Sequence, residues 1–423
     1  MAALLAATPL GSLHAEGMHP FEAAVEHALK VNPDMRSIRA SLDSAKEQPA
    51  TTVAALRPEV KLTSSVTHTA TRYHETNSRS DPLALTMALT QPVYNKQLFV
   101  AHRQSQPFVV AAKDDVQDKL QDTILSVAEA YVDLLEAMEV ASLSANNLKV
   151  TNSQLEATRA RFEVGETTRT DVRQAEARVA SAEAEVKSNQ NAVSVSKAKY
   201  REVVGLSPAD QMPVPEINDA LMNRDLDDLI SVAEKSRPDL KAARERLKVS
   251  QMDVAFAKAG HYPTLTFSAT GTFTDDSETA ARTHDSRYYA FVLTAEVPVY
   301  EGGGTQSGVR KAKHDLASGR SDLDSTVLQV RREVEEALLN YHSARAVVTS
   351  FEAALSASTD ALDGVEQEFQ VGTRTALDLL DQQNEVFRNE TDLAKQRFNV
   401  ILARFRLLSA TGELTLQNLG LGS

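Results

Sequence analysis

The sequence predicts a mainly α-helical chain with a membrane β-barrel contribution: long antiparallel helical hairpins forming an α-barrel tunnel, plus four transmembrane β-strands per protomer. Three observations carry this. Apolar residues recur every three or four positions over stretches far longer than one ordinary globular helix. Four segments of ten to twelve residues switch to strict alternation, with one apolar and one small polar face. The whole pattern then occurs twice at a nearly constant offset.

The 423 residues carry 45 basic and 58 acidic side chains, a net charge of −13, which argues against a nucleic-acid partner whose phosphates would repel the chain. There is no Cys, hence no disulfide framework and no thiolate metal site. Residues 1–15 read as a signal-peptide remnant with Ala15 at the cleavage position. No apolar run reaches the length of a transmembrane helix.

The first repeat, 16–205, begins with a helix broken at Pro33 and ended by Arg57-Pro58. Two barrel strands follow at about 59–94. In the first, Val60, Leu62, Ser64 and Val66 alternate with Lys61, Thr63 and Ser65. In the second, Leu83, Leu85, Met87 and Leu89 alternate with Ala84, Thr86, Ala88 and Thr90. A polar loop is expected between them, at Thr71–Pro82. A long helical hairpin spans about 107–205, its stripe running from Val116 through Tyr131 and Leu155 to Phe162. Residues 206–225, with three prolines, are a linker.

The second repeat, 226–412, restates this order: a helix, two strands at about 264–300, and a hairpin at about 307–411, followed by a tail at 413–423. Arg237-Pro238-Asp239 answers Asn32-Pro33-Asp34 at an offset of 205, and Pro298-Val299-Tyr300 answers Pro92-Val93-Tyr94 at 206. Gly372 answers Gly165, and Asp378 answers Asp171, at 207.

The two hairpin tips are the most informative stretches. Gly165 and Gly372 sit where a helical stripe stops, and glycine takes the left-handed conformation that ends a helix. Thr375 and Asp378 are spaced as a capping box at the next helix start, and Asp171 stands in the same place in the first tip. Asp381 lies three residues beyond Asp378 and shares its face. Its counterpart in the first repeat is Gln174, so capping does not account for an acid there.

Four strands cannot close a barrel, and an open edge cannot sit in lipid. Strands of this kind in a membrane require several copies, and three would supply twelve strands. The rival expectation is a soluble periplasmic coiled-coil scaffold or adaptor with a half-buried sheet. Glu301-Gly302-Gly303-Gly304 lacks the Lys-Ser/Thr of a phosphate loop, the His residues show no metal spacing, and no nucleophile elbow is present. Neither an enzyme nor a cofactor is expected.

Arg161-Phe162-Glu163-Val164-Gly165 with Thr170-Asp171-Val172, Val371-Gly372-Thr373-Arg374-Thr375 with Asp378 and Asp381, and Leu408-Ser409-Ala410-Thr411-Gly412-Glu413-Leu414 resemble the TolC-like outer-membrane efflux protein family. The resemblance covers about 18–420. It implies a homotrimer closing a 12-stranded barrel in the outer membrane of a Gram-negative bacterium, with a tunnel across the periplasm. It implies export of drugs, toxic compounds or secreted proteins with a periplasmic adaptor and an inner-membrane pump of ABC, RND or MFS type. By the same resemblance, Arg374, Thr170, Asp171 and Phe369 form a periplasmic gate, Asp378 and Asp381 ring the constriction, and Gly165, Gly372, Val164 and Val371 form adaptor-docking tips. The family pattern carries a Tyr at the position of Phe369, whose hydroxyl joins the closing network. Phe cannot supply that link.

Overall fold

The computed structural model describes residues 20–73, 76–209, 211–215, 217, 222–275 and 286–418. The signal-peptide reading of residues 1–15 lies outside them. The elements in order are α1 (Pro20–Val31), α2 (Pro33–Ala54), β1 (Glu59–Val66), β2 (Thr69–Tyr73), β3 (Thr76–Ser80), β4 (Leu83–Asn95), α3 (Lys96–Glu163), α4 (Arg169–Val204), α5 (Leu226–Ser236), α6 (Pro238–Ala259), β5 (Thr264–Asp275), β6 (Ser286–Glu296), α7 (Gly304–Gln370) and α8 (Ala376–Ala410). The chain divides into two compact units, with the division falling inside α2, α3 and α7.

One unit comprises residues 38–117 and 238–328 and holds the strands. Its main sheet is antiparallel, in the order β1-β4-β5-β6. The register is what the alternation requires. Val60, Leu89, Ala269 and Phe291 form one row across the sheet, and Leu62, Met87, Gly271 and Tyr289 form another on the same face. The next row, Thr63, Thr86, Thr272 and Tyr288, lies on the opposite face. There the Thr86 and Thr272 hydroxyls are 3.1 Å apart. Gly271 leaves room for the Tyr289 ring, which passes 3.5 Å from where a Cβ would stand. The apolar face is open: Leu62 is 69% exposed, Met87 55% and Phe291 77%. β4 and β5 slip register between Pro92 and Tyr94, where proline's missing N–H is tolerated at a bulge.

Three expectations need correction here. Most of the expected polar loop is the β2–β3 ladder, pairing Thr69 with Ser80 through Tyr73 with Thr76. Backbone hydrogen bonds make such a ladder without apolar alternation, so composition did not mark it. The second strand of the second repeat stops at Glu296, not near Tyr300. Pro298 brings no N–H, and among the described residues no further strand flanks β6. The first long helix begins at Lys96 rather than 107. Asn95 caps it, its Oδ1 accepting from the Gln97 and Leu98 amides at 3.0 and 3.4 Å. Pro107 is carried inside the helix.

The other unit comprises residues 1–37, 118–237 and 329–423. Phe21, Ala24, Val25, Ala28 and Leu29 give α1 a buried stripe at helical spacing. Asn32 then caps α2 by accepting from the Asp34 amide at 2.8 Å, with Pro33 as the first helical residue. The core gathers around Tyr131, whose ring lies 5.3 Å from Phe21 and 6.3 Å from Tyr200, while Phe21 lies 5.4 Å from Phe405. Burial pushes the Tyr131 phenol up, and its hydroxyl donates to the Pro213 carbonyl at 2.8 Å. The tail returns over the α5–α6 junction. Gly412 has φ 73°, and a Cβ there would fall 2.7 Å from the Arg237 amide nitrogen, so only glycine fits. Gln121 donates to the Gly412 carbonyl at 2.9 Å and Ser236 to Glu413 at 2.7 Å.

Candidate functional site: the two helical tips

Both tips are built by one recipe. α3 ends with the Gly165 amide donating to the Phe162 carbonyl at 3.0 Å and the Glu166 amide to the Arg161 carbonyl at 2.9 Å. α7 ends identically, from Gly372 to Phe369 at 3.1 Å and from Thr373 to Glu368 at 2.9 Å. These paired bonds satisfy the last carbonyls of a helix, and they require the left-handed residue that Gly165 (φ 79°) and Gly372 (φ 82°) supply.

Three residues on, a capping box starts each return helix. The Asp171 amide donates to Thr168 Oγ1 at 3.2 Å, and Asp171 Oδ2 accepts from the Thr168 amide at 2.8 Å. The Asp378 amide donates to Thr375 Oγ1 at 3.2 Å, and Asp378 Oδ2 accepts from the Thr375 amide at 3.0 Å. Both carboxyls are held below their ordinary range. For Asp171 the main cause is the Thr167 hydroxyl, followed by the Thr168 hydroxyl and amide. For Asp378 it is the Thr375 amide, then the Thr375 hydroxyl, then the nearby Arg374 charge.

Beyond this shared frame the tips differ. At an offset of 207, Arg374 stands where the first tip has Thr167, and Asp381 stands where it has Gln174. Arg374 Nε donates to Glu368 Oε2 at 2.8 Å within its own tip. Thr170 is exposed on the first turn of α4, and within the single chain Arg374 is paired with Glu368 rather than with it. Val164 and Val371 are largely exposed at the two turns.

Two side-chain contacts join the first hairpin to the second near the tips. The Arg161 guanidinium lies over the face of Phe369, 4.3 Å from the ring centroid. A cation–π contact of this kind contributes about 0.5–1 kcal/mol at an exposed site. Arg178 on α4 pairs with Asp381 on α8. Beneath them Leu155, Ala175 and Leu380 form a small buried cluster flanked by Val172 and Val179. Arg159 and Arg173 both hold Glu176, at 2.9 and 2.7 Å.

Phe369, without a hydroxyl, thus offers its ring face to a cation instead. Sequence reasoning missed Glu368, Arg178 and the role of Arg161. Arg161 lies in a recognisable motif, but nothing in its spacing names a partner 208 positions away. Arg178 carries no signal at all, because pairs between hairpins have no sequence period. Among the described residues no cluster of His, Asp or Glu could hold a metal ion, and no helix is long and apolar enough to cross a membrane.

The profile of the family described as outer membrane efflux protein matches residues 24–206 and again 229–413. The chain is 29% identical over 411 residues to the outer membrane efflux protein BepC of Brucella suis, covering 94% of this chain and 86% of that protein. It is 26% identical to the outer membrane protein TolC of Vibrio cholerae, covering 98% and 96%. The crystal structure of the outer membrane protein VceC from Vibrio cholerae superposes with a TM-score of 0.80 at 21% identity, covering 93% of this chain and 96% of that one. These likenesses give the reading as a soluble periplasmic scaffold no support.

Proposed function

The chain belongs to the outer membrane efflux protein family and resides in the outer membrane of a Gram-negative bacterium; we propose that three copies form its exit duct, a passive conduit gated at the helical tips. The observation that carries this is the sheet. Its apolar side chains lie in register on one solvent-open face, and among the described residues β1 and β6 each lack a strand neighbour on one side. Lipid covers such a face at no cost, but it cannot satisfy an open edge. Closure by three copies gives a barrel of twelve strands with the threonine-rich face toward the lumen.

In this reading the helical hairpins continue the duct into the periplasm. A periplasmic adaptor docks at the exposed tips around Val164, Gly165, Val371 and Gly372, and an inner-membrane pump of ABC, RND or MFS type supplies the energy and selects the cargo. The cargo is small toxic compounds or a secreted protein. The duct itself catalyses nothing.

The tips are the moving parts because they are furthest along the chain from the strands that lipid holds. Arg374 is the latch. Its guanidinium exchanges Glu368 of its own tip for Thr170 and Asp171 of the next copy when the tips close. Each exposed link is weak, but threefold repetition multiplies it, and an adaptor that binds the open tips better shifts the balance. Currents through the purified protein in planar bilayers test this. Arg374→Ser is expected to raise single-channel conductance several-fold, while Phe369→Tyr leaves it low. Unchanged conductance of an intact Arg374→Ser oligomer would remove Arg374 from the gate.

A further inference from the structure

The charges of the main sheet are segregated by face. Glu59, Lys61 and Glu296 alternate with the apolar residues and so share the threonine-rich face. The apolar face carries Arg287 and Asp275, both at the end of the sheet away from α3 and α7: Arg287 is the second residue of β6 and Asp275 the last of β5. Arg287 closes the row Ser64, Leu85 and Phe273, and Asp275 stands opposite Leu83 in the next row out. Among the described residues neither of the two forms an ion pair or a side-chain hydrogen bond.

Inward of Arg287 the same face holds an open groove of about 560 Å³. Its floor is β5, where Ala269 and Gly271 stand between Leu89 and Met87 of β4 and Phe291 and Tyr289 of β6. Two small residues flanked by large ones make a channel along the strand, and Arg287 lines its outer end. An arginine on a lipid-facing strand is tolerated near the headgroups rather than at the midplane. The neighbouring hairpin marks that level. Past Val66 and Leu83 the next residues on this face are His68 and Asp81, which pair with each other, so the apolar band ends there, two rows beyond Arg287.

We propose that the groove binds one phosphorylated glycolipid of the outer leaflet, with an acyl chain along β5 and a phosphate held by Arg287. This rests on the reading of the sheet as the lipid-facing wall of a duct whose helices enter the periplasm, which puts Arg287 on the outer side. The planar guanidinium meets a phosphate with two parallel N–H donations. The Asp275 carboxylate, one row further out, accepts from hydroxyls of the sugar. A donor fork for phosphate beside an acceptor for hydroxyls is a phosphosugar pair. The chain carries a net charge of −13, so an overall attraction for anionic lipid does not account for such a site.

The test uses the whole protein, purified in detergent as its oligomer and freed of lipid, with bound lipid counted by native mass spectrometry. Three probes are offered in turn: lipid A, lipid A stripped of its phosphates, and phosphatidylglycerol. Lipid A is expected to bind at up to one per chain, several-fold more tightly than either of the others, a comparison that needs no variant. Arg287→Gln is expected to weaken lipid A to the level of the stripped form. Arg72→Gln is the control. Arg72 falls on the same face of the β2–β3 extension, because the pairing of Val66 with Leu83 continues in step as Thr69 with Ser80, but it stands four rows further out than Arg287. No change is expected there.

Equal binding of the stripped lipid, or unchanged binding by an intact Arg287→Gln oligomer, overturns the phosphate anchor. Phosphatidylglycerol bound as tightly as lipid A overturns the choice of a glycolipid. An Arg72→Gln loss as large as that of Arg287→Gln reduces the effect to general charge and overturns the site. In each of these cases the oligomer persists and the barrel reading stands. A protein monomeric in detergent before any lipid is added removes the barrel reading and the site with it.

Discussion

Asp381 is exposed and already paired with Arg178, whereas Asp378 is half-buried and committed to the start of its helix. The two acids of the proposed constriction therefore differ in what they can offer a passing ion. In the proposed trimer, three copies bring two carboxylates each to one opening, where their fields add and concentrate cations. Arg178 subtracts from that field at Asp381, so its removal should strengthen selectivity. Reversal potentials in a salt gradient are expected to show a cation preference that Asp378→Ala with Asp381→Ala abolishes and Arg178→Ala increases. Unchanged potentials in both variants would take these residues out of the constriction. Both capping acids contribute least in acid. Their folded carboxyls titrate below the unfolded value, so that contribution is complete above the unfolded value and is lost as pH falls through the folded one.

At the scale of elements, the strands and the tips were legible for different reasons. Strands announce a two-sided environment through period 2, so Val60 to Val66 and Leu83 to Leu89 could be assigned to faces from sequence, and the register honours those faces. The tips were legible because a Schellman end and a capping box each demand particular residues at fixed spacing. What was hidden depends on geometry that no short window carries. Pro107 reads as a helix start, but the helix begins at Lys96 because Asn95 caps it and the chain tolerates one missing N–H. The β2–β3 ladder is polar and held by backbone bonds. Arg161 on Phe369 and Arg178 on Asp381 join residues about two hundred positions apart. The outward face of the sheet makes its own prediction. Phe291→Arg is expected to cost about 2–4 kcal/mol if that residue lies near the bilayer midplane. Outer-membrane assembly of this variant should fall sharply, and wild-type insertion would place Phe291 away from lipid.

For the whole molecule, the duplication decides how the pieces assemble. Each repeat supplies two strands of the main sheet and one long hairpin, and neither repeat nor chain can close a barrel alone. Three copies reconcile an apolar face that seeks lipid with edges that lipid forbids. The proposed trimer sets three first-hairpin tips and three second-hairpin tips around one axis, and only the second kind carries Arg374 and Asp381. In the proposed duct the second tip carries the latch Arg374 and the added acid Asp381, while the first supplies the latch's partners Thr170 and Asp171; within the chain Arg161 and Arg178 of the first hairpin contact Phe369 and Asp381. The most direct test is the mass of the protein extracted from outer membranes in detergent, measured by light scattering with the detergent contribution subtracted. A detergent-dependent particle of three chains, three times the mass of the single chain, is expected. A water-soluble particle of one chain would contradict it.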